Sequence, residues 1–574
     1  MDNKKPLLAL ALLCAAGLTQ AGEKEELLKL RNTTTNLIKQ LVKQGVITDK
    51  TAQDMIKQAE ADADQQVADA KAASGKSAAA KEVVPADEVR VAYVPDFVKD
   101  DIRQQVRAEL REQVVGDVMA KAKNEQWGLP NALPEWTRKF KLSGDIRLRS
   151  QNEFMGADNI ANDPFNIDAQ AVNEAGGFSA ANADETLFRN TTHDRHRFRE
   201  RLRLGFDVKV AEGLNAGVRL ATGNQRDPVS TNQTLGNTGQ RYEFTVDRAF
   251  LKYDAVDDNK FNWLTLSGGR IKNPWYTGGD EFTAGSELVW DTDLSFEGFA
   301  ATVRHRLGDT SGLHVSNDDG PMVYATAGAF PLQEFELSSN DKWLLGGQLG
   351  VDWGFANQDS VNLGVAYYDY SNIEAVPNTS VSGTCDLNND DNDASVPQFM
   401  QGGNTLATVC REGTVQSPGL SSGQVGLASD YNILNINGAY DIAAFAPYHV
   451  RVSGDFAKNV GFKASDVIRL AGTDIKEQTN AWQARVDVGW RKVDKAGHWN
   501  VFTAYKYIER DSVLDAYTDS DFHLGGTNAK GWIMGGNYGL MNNVWLTGRW
   551  LSADVITGAP FGVDLLQVDV NTRF

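Results

Sequence analysis

The sequence predicts an all-β transmembrane barrel of about sixteen antiparallel strands, preceded by an α-helical, coiled-coil-like N-terminal segment. Three observations predict this fold. From about residue 137 to the end, apolar and polar residues alternate with the period of two that is typical of β-strands. Short and long connectors alternate along the same region, and the chain ends on a strand whose last residue is an aromatic.

The last strand, Val563 to Phe574, carries the clearest alternation. One face is mostly apolar, and the other is mostly polar and contains Gln567, Asp569 and Asn571. The apolar face consists of Leu566, Val568, Val570, Thr572 and Phe574. A barrel needs such a strand to close against its first strand and to place an aromatic at the lipid interface. The alternative is an ordinary edge strand of a β-sandwich.

Fifteen further strands are predicted from the same alternation. They lie near 139–149, 195–210, 214–220, 244–254, 261–271, 296–306, 321–330, 342–354, 360–370, 431–443, 447–457, 480–492, 497–508, 530–539 and 543–552. We expect Lys139–Gln151 to pair with Val563–Phe574 and to close the sheet.

The connectors alternate in length. The short ones are 211–213, 255–260, 355–359, 493–497 and 540–542, and the long polar ones are 152–194, 224–243, 272–294, 371–430, 458–479 and 509–529. Outer-membrane barrels have short periplasmic turns and long external loops, whereas a sandwich does not need this regularity. An even number of strands then places both termini in the periplasm.

Composition limits the function classes. With 41% hydrophobic residues, 53 glycines and a mean hydropathy of −0.39, the chain is too polar for a helical membrane protein. Its net charge of −19 disfavours nucleic acid as a partner, because phosphate binding needs a basic surface.

Residues 1–21 have the features of a secretory signal peptide. Lys4 and Lys5 precede a short apolar core, and small residues around Ala21 suit a signal peptidase. Cys14 follows Leu13, where a lipoprotein signal needs a small residue, so we predict ordinary cleavage and export.

Between the signal and the barrel, which is predicted over 137–574, we expect three regions. They are a helical segment at 22–73, a linker at 74–95, and an amphipathic helix with its connector at 96–136. The helices are too polar to form a core alone. They therefore either associate with copies of themselves or dock on another partner, and the alternative is a solvated helix pair.

Several stretches resemble a known family. They are Arg90–Pro95, Leu129–Trp136 leading into Ser143–Arg149, Asp519–Phe522, and Gly525–Gly531. Together they resemble the Gram-negative group called "putative porin", which is similar to general porins with an added N-terminal helical segment. The resemblance covers nearly the whole mature chain. It implies an outer-membrane β-barrel that forms a trimer, and it brings no catalytic residues and identifies no substrate.

Arginines dominate the polar face of the first strands. If the apolar residues face lipid, the candidate pore-lining set is Arg147, Arg149, Arg197, Arg199, Arg201, Arg203 and Arg219. Such a wall attracts anions and repels cations. Alternatively, the arginines pair with carboxylates on a loop that folds inward. The loop at 272–294 is a candidate, with Asp280, Glu281, Glu287, Asp291 and Asp293.

The loop at 371–430 holds two further candidate features. Cys385 and Cys410 are the only cysteines left after signal removal, and in an exported chain they predict a disulfide. Asp386, Asn388 and Asp390 begin a calcium-loop pattern, but its sixth position is not Gly and its twelfth is not Glu. These three residues are therefore weak metal candidates beside the alternative of a solvated acidic loop, and no cofactor is predicted.

The sequence offers little support for an enzyme. It contains no HExxH and no phosphate-binding glycine loop, and its one GxSxG match, Gly419 to Gly423, lies within the predicted loop at 371–430 and does not follow a predicted strand. His193 and His196 near Asp194 are the only candidate acid–base group, and we expect them to line the mouth of the barrel.

These observations predict a passive outer-membrane porin for small hydrophilic solutes. We expect a homotrimer in contact with outer-membrane lipid and lipopolysaccharide, with the N-terminal segment in the periplasm. The arginines predict a weak preference for anions, weaker still if an acidic loop folds in. The alternatives are a structural protein whose N-terminal helices tether the envelope to peptidoglycan or another periplasmic partner, and an adhesin that binds through its long loops.

Overall fold

A computed structural model describes residues 139–275, 286–307, 320–336, 338–378, 392–409, 423–472 and 475–574. The predictions for the signal peptide, the N-terminal helices and their linker lie outside these residues. So do Cys385 and Cys410 with their predicted disulfide, the weak metal candidates Asp386, Asn388 and Asp390, and the acidic residues Asp280 and Glu281.

The alternating pattern folds into one antiparallel sheet that contains sixteen long strands. They are β1 (Phe140–Met155), β2 (Arg195–Lys209), β3 (Leu214–Ala221), β4 (Thr245–Val256), β5 (Asn262–Lys272), β6 (Ser295–Arg306), β7 (Gly320–Gln333), β8 (Lys342–Gly354), β9 (Ser360–Ser371), β10 (Tyr431–Ile442), β11 (His449–Asn459), β12 (Asn480–Gly489), β13 (Trp499–Ile508), β14 (Ala529–Met541), β15 (Val544–Val555) and β16 (Gly562–Arg573). A two-residue strand, Gln233–Thr234, pairs beside β2.

The sheet is closed. Strand β1 pairs with β2 on one side and with β16 on the other, in a register that runs from Asp145 opposite Arg573 to Met155 opposite Val563. Every other barrel strand pairs with both of its chain neighbours. Closure leaves no free sheet edge, so every strand finds backbone partners without help from water. The predicted sixteen-stranded barrel and its closing pair are confirmed.

The outer face of the barrel is apolar. Leu148, Phe198 and Phe299 are exposed by 52%, 67% and 73%, whereas Arg149 and Arg201, which point to the inner face, are buried. In water such a face would be unfavourable, whereas in a bilayer it is matched by the acyl chains. Aromatic pairs lie near the turn end, with Trp353 against Phe355, and near the loop end, with Trp482 of β12 against Tyr505 of β13.

Eight connectors emerge from one end of the barrel. They are L1 (156–194), L2 (222–244), L3 (273–294), L4 (334–341), L5 (372–430), L6 (460–479), L7 (509–528) and L8 (556–561). Short turns connect most strands at the other end, as predicted. Three departures from the strict alternation are the short L4, the short L8 and the longer connector between Arg306 and Gly320 at the turn end.

The loops contain short helices and one hairpin. The α-helices are α1 (Ala169–Ala175) and α2 (Phe178–Ala183) in L1 and α3 (Ala464–Ala471) in L6. Short 3-10 turns lie at Pro164–Asn166, Asp393–Ser395, Asp515–Tyr517 and Phe522–Leu524, and Leu406–Val409 pairs with Gln424–Leu427 in L5. No helix in the described residues is long and apolar enough to cross a bilayer.

The buried core lies inside the loop half of the barrel. Trp290 of L3 packs edge-on against Tyr368 of β9 and Phe296 of β6. Leu514 of L7 and Val172 of α1 belong to the same buried cluster. Loops L1, L3, L5 and L7 therefore fold into the barrel and pack against its inner wall.

The C-terminal aromatic packs over a glycine of the first strand. Gly144 and Phe574 exchange two backbone hydrogen bonds of 2.9 and 3.0 Å. A Cβ on Gly144 would lie 2.5 Å from the Phe574 ring and 2.9 Å from the carbonyl oxygen of Arg203. The terminal ring thus occupies space that only a glycine at position 144 leaves open.

We predict that Gly144→Val and Phe574→Ala both reduce barrel assembly. In Gly144→Val, overpacking costs about 1–3 kcal/mol. In Phe574→Ala, the ring that packs over Gly144 is lost. Both changes fall on the pair of strands that closes the sheet. The measurement is the fraction of heat-modifiable, folded protein in the outer membrane. Gly548→Ala is the matched control, since a Cβ there meets nothing within 4 Å. Wild-type levels in Gly144→Val would contradict the close packing.

Candidate functional site

The seven arginines predicted to line the pore lie side by side on β1, β2 and β3. Their side chains are buried or half-buried on the inner face, whereas the alternating apolar residues are exposed on the outer face. Arg248 on β4 extends the group and was missed, because the bulge between Arg219 and Leu220 shifts the register there. We call these eight residues the arginine wall.

The strand register brings like charges together. Arg147 lies opposite Arg201, Arg149 opposite Arg199, and Arg219 opposite Arg248. Like charges in directly opposed positions destabilise a sheet. The wall is therefore compatible with a folded barrel only if carboxylates neutralise most of it.

Part of this balance comes from the strands themselves. Asp569 of β16 accepts two hydrogen bonds from Arg149, of 2.9 and 3.0 Å, and Asp145 of β1 pairs with both Arg201 and Arg203 at 3.0 and 2.6 Å. Two further pairs are Arg197 with Glu153 at 2.5 Å and Arg219 with Asp247.

Loop L3 supplies another carboxylate. Asp293 accepts hydrogen bonds from Arg201 at 3.3 Å, Arg203 at 3.1 Å and Thr231 at 3.2 Å. Burial alone would raise the pKa of Asp293, but the surrounding arginines, Arg201 first, hold it below its usual range. Asp293 is thus a charged partner of the wall, as the inward-folding alternative predicted.

The rest of L3 crosses the lumen to other sectors. Ser286 contacts Asp455 of β11 at 2.5 Å, and Glu287 pairs with Arg485 of β12 at 3.6 Å, so Glu287 does not reach the arginine wall. Asp291 also makes no ion pair with the wall; its carboxylate accepts backbone N–H groups of Asp293 and Ser520. L3 therefore narrows the lumen between β2 and β12.

Loop L7 supplies a second inward carboxylate that sequence reasoning missed. Asp521 accepts hydrogen bonds from Arg149 at 3.1 Å, Arg549 at 2.6 Å and Gln567 at 2.9 Å. Burial alone would raise the pKa of Asp521, but Arg149 and the other arginines hold it well below the usual range. The signal that could have indicated Asp521 is the mixture of apolar and acidic residues in L7. Apolar residues favour burial of the loop, and a buried acid needs a cationic partner.

L7 is also bound to its neighbouring loops. The N–H of Asp291 in L3 donates to the carbonyl of Tyr517 at 2.7 Å. Asp515 accepts the backbone N–H groups of Gln401 at 2.9 Å and Gly402 at 2.5 Å in L5. L3, L5 and L7 thus form one connected layer inside the barrel.

Comparison with known families identifies the chain. The family model described as "Putative porin" matches residues 31–574. The chain belongs to this family. It is an outer-membrane channel protein, and the barrel and the lumen described above are those of a porin.

Solved structures of other porins resemble the fold. OprB of Pseudomonas putida is 10% identical, with a TM-score of 0.42, and the match covers 78% of this chain and 97% of that one. The outer-membrane channel DcaP of Acinetobacter baumannii is 11% identical, with a TM-score of 0.38, over 76% of this chain and 97% of that one. An anion-selective porin from Comamonas acidovorans is 12% identical, with a TM-score of 0.36, over 76% and 99%.

None of the curated proteins compared with this porin matches it.

Two cavities lie along the lumen of this porin. One of about 250 Å³ lies between the arginine wall and loops L3 and L7, and is lined by Arg147, Arg149, Asp293, Asp521 and Arg549 among others. The other, of about 580 Å³, lies in the loop half and is lined by polar side chains of L1 and L2 and by aromatic residues of L5 and L7. The smaller cavity is the more highly charged and includes both inward carboxylates.

The remaining candidates take no part in this arrangement. His193 contacts Thr192, His196 contacts Asn152 at 2.8 Å, and Asp194 accepts the backbone N–H of Met155. All three lie exposed at the loop end of β1 and β2. Within the described ranges, no cluster of His, Cys, Asp and Glu is arranged to hold a metal ion.

We predict that Asp515→Asn stabilises L7 at neutral pH. Burial raises the pKa of Asp515 to about 6 from an ordinary 3.8, and its Oδ1 has no hydrogen-bond partner among the described residues. A raised acid pKa destabilises the folded loop above that pKa, by up to about 3 kcal/mol here, and the penalty disappears as the pH falls towards 3.8.

The measurement is the hydrogen-exchange protection of L7 in both proteins from about pH 7.5 to about pH 5. The advantage of Asp515→Asn should shrink as the pH falls. Burial lowers the pKa of His523 in the same loop to about 4, so His523 destabilises the loop as the pH falls. Both proteins contain His523, so its effect cancels in the comparison of wild type with Asp515→Asn. If the stabilisation of L7 by Asp515→Asn did not depend on pH, the raised pKa of Asp515 would not be its cause.

Proposed function

We propose that this porin is a passive channel for small hydrophilic solutes with a weak preference for anions. The observation that supports this most is the charge balance at the arginine wall. The wall and Arg549, which shares Asp521, carry nine positive charges. Six carboxylates lie within ion-pair distance, namely Asp145, Glu153, Asp247, Asp293, Asp521 and Asp569.

The difference, 9 − 6 = +3, gives the wall a local excess of positive charge. Arg199 and Arg248 have no ion pair within the described residues. Arg199 donates only to neutral acceptors, Gln151, Ser230 and Asn232, and Arg248 donates to Ser295. An anion inside the lumen is therefore attracted to this sector.

The acidic charge of the whole chain acts against this preference only weakly. The chain carries −19, but charges farther from the lumen than a Debye length of about 8 Å are largely screened at physiological salt. The inward carboxylates Asp293 and Asp521 are already included in this balance. Three further carboxylates, Glu287, Asp291 and Asp519, line the same cavity and weaken the preference. These two opposing contributions support a weak rather than a strong selectivity.

We predict that Arg199→Gln shifts the zero-current potential in a salt gradient towards cation selectivity. The substitution removes one uncompensated positive charge and leaves no carboxylate unpaired. Replacing Arg199, Arg201 and Arg203 together should give a larger shift in the same direction. The measurement is planar-bilayer recording of the reconstituted protein.

Arg469→Gln in L6 is the matched control, because its side chain is 60% exposed outside the wall and its charge is screened. A shift of equal size in this control, or none in Arg199→Gln, would contradict the local origin of the selectivity.

The homotrimer and the contacts with lipopolysaccharide stay predictions. The exposed apolar belt of the outer face supports contact with lipid or with a second barrel equally well. The tethering and adhesin alternatives depend on the N-terminal segment and on loop residues outside the described ranges, and no contact within those ranges favours either one.

A further inference from the structure

Asp521 occupies a compact set of donors that belongs to the barrel wall. Arg149, Arg549 and Gln567 lie on β1, β15 and β16, which are adjacent in the closed sheet. They direct three different side-chain nitrogens at one carboxylate, at 3.1, 2.6 and 2.9 Å. Two guanidinium groups and an amide around one carboxylate form an oxyanion receptor.

The wall holds these donors in place without Asp521. Arg149 uses Nε and Nη2 for its pair with Asp569, which leaves Nη1 for the receptor. Gln567 and Arg549 are direct cross-strand neighbours, and the Gln567 oxygen accepts a hydrogen bond of 2.5 Å from Arg549. A receptor fixed by its own strands binds with little loss of conformational entropy.

The occupant, in contrast, is carried by a loop. L7 is attached to L3 and L5 through Tyr517, Ser520 and Asp515, so it has anchors other than the Asp521 carboxylate. The carboxylate of Asp521 can therefore leave the receptor by side-chain rotation while these other contacts keep the loop inside the lumen, where it is held less strongly than with Asp521 paired. A carboxylate on a solute offers the same two oxygen acceptors.

A solute has room to reach this position. The cavity of about 250 Å³ is lined by Arg149, Asp521 and Arg549 together with Arg147. Arg147 makes only long contacts, 3.8 Å to Asp569 and 3.5 Å to Asn232, so its charge is poorly compensated. A small solute with several carboxylates fits the volume, and Arg147 offers a second cation beside the receptor.

We propose that Arg149, Arg549 and Gln567 form a binding site for the carboxylates of small di- and tricarboxylate solutes, and that Asp521 is its internal competitor. This inference rests on the proposed function, because the channel brings the solute to the site. When a solute carboxylate binds, Asp521 leaves, and when the solute passes on, Asp521 returns. Inorganic phosphate shares the oxyanion chemistry and is the second candidate ligand.

An internal competitor weakens the apparent affinity for the solute. The apparent dissociation constant equals the intrinsic one divided by the fraction of protein in which Asp521 is outside the receptor. Removal of the Asp521 side chain should therefore tighten binding, although it removes an interaction from the folded protein. We expect Asp521→Ala to bind citrate at least about tenfold more tightly than wild type.

The test is calorimetric titration of citrate, and separately of inorganic phosphate, into the folded full-length protein in detergent. Glu287→Gln is the matched control, because it removes one negative charge from the same cavity without touching the receptor. Tightening for citrate alone supports carboxylate solutes, and tightening for both ligands supports general oxyanion binding at this site.

Arg549→Gln in the Asp521→Ala background should abolish the gain. Asp521→Asn, which keeps one acceptor oxygen but no charge, should give an intermediate affinity and provides a second variant if Asp521→Ala does not fold. Equal tightening in Glu287→Gln, or none in any folded Asp521 variant, would overturn the proposal. A protein that binds citrate but conducts no ions would overturn the proposed function and leave this site standing.

Discussion

The balance of charge at the arginine wall is the constraint on which the lumen depends. The alternation of the first strands places arginines at successive inward positions, and the barrel register then sets them directly opposite one another. Three like-charge pairs in a poorly solvated interior would strongly oppose closure. Strand carboxylates compensate part of this charge, and two loop carboxylates, Asp293 and Asp521, supply most of what is still needed near Arg201 and Arg149.

This requirement explains why loops fold into the barrel. Once Asp293 and Asp521 are paired inside, L3 and L7 bring apolar side chains with them, and Trp290 and Leu514 pack against the inner wall. Asp515 and Asp291 then connect L7 to L5 and L3 through backbone N–H groups. The same interactions thus narrow the channel, stabilise the loop layer and leave a small positive excess at the arginine wall.

Much of the fold could be predicted from the sequence because a barrel strand has a strict period of two. Strand β8 has the predicted bounds, 342–354, and the closing pair of β1 and β16 followed from alternation alone. Strand β12 ends at Gly489 rather than at residue 492, because the chain bends at Arg491 into the turn that leads to β13. The inward loops have no comparable period, so Asp521 was missed. Its partners Arg149 and Arg549 are distant in sequence and meet it only after closure.

The most direct test of this account is hydrogen exchange in a variant that carries both Asp293→Asn and Asp521→Asn. The account predicts a large loss of protection in residues 286–294 and 509–528, because these loops lose their charged attachments. It predicts a smaller loss in β1 and β2, because their arginines keep the strand carboxylates Asp145, Glu153 and Asp569. Unchanged protection in both loops would contradict it, since the loop layer would then be held by apolar packing alone.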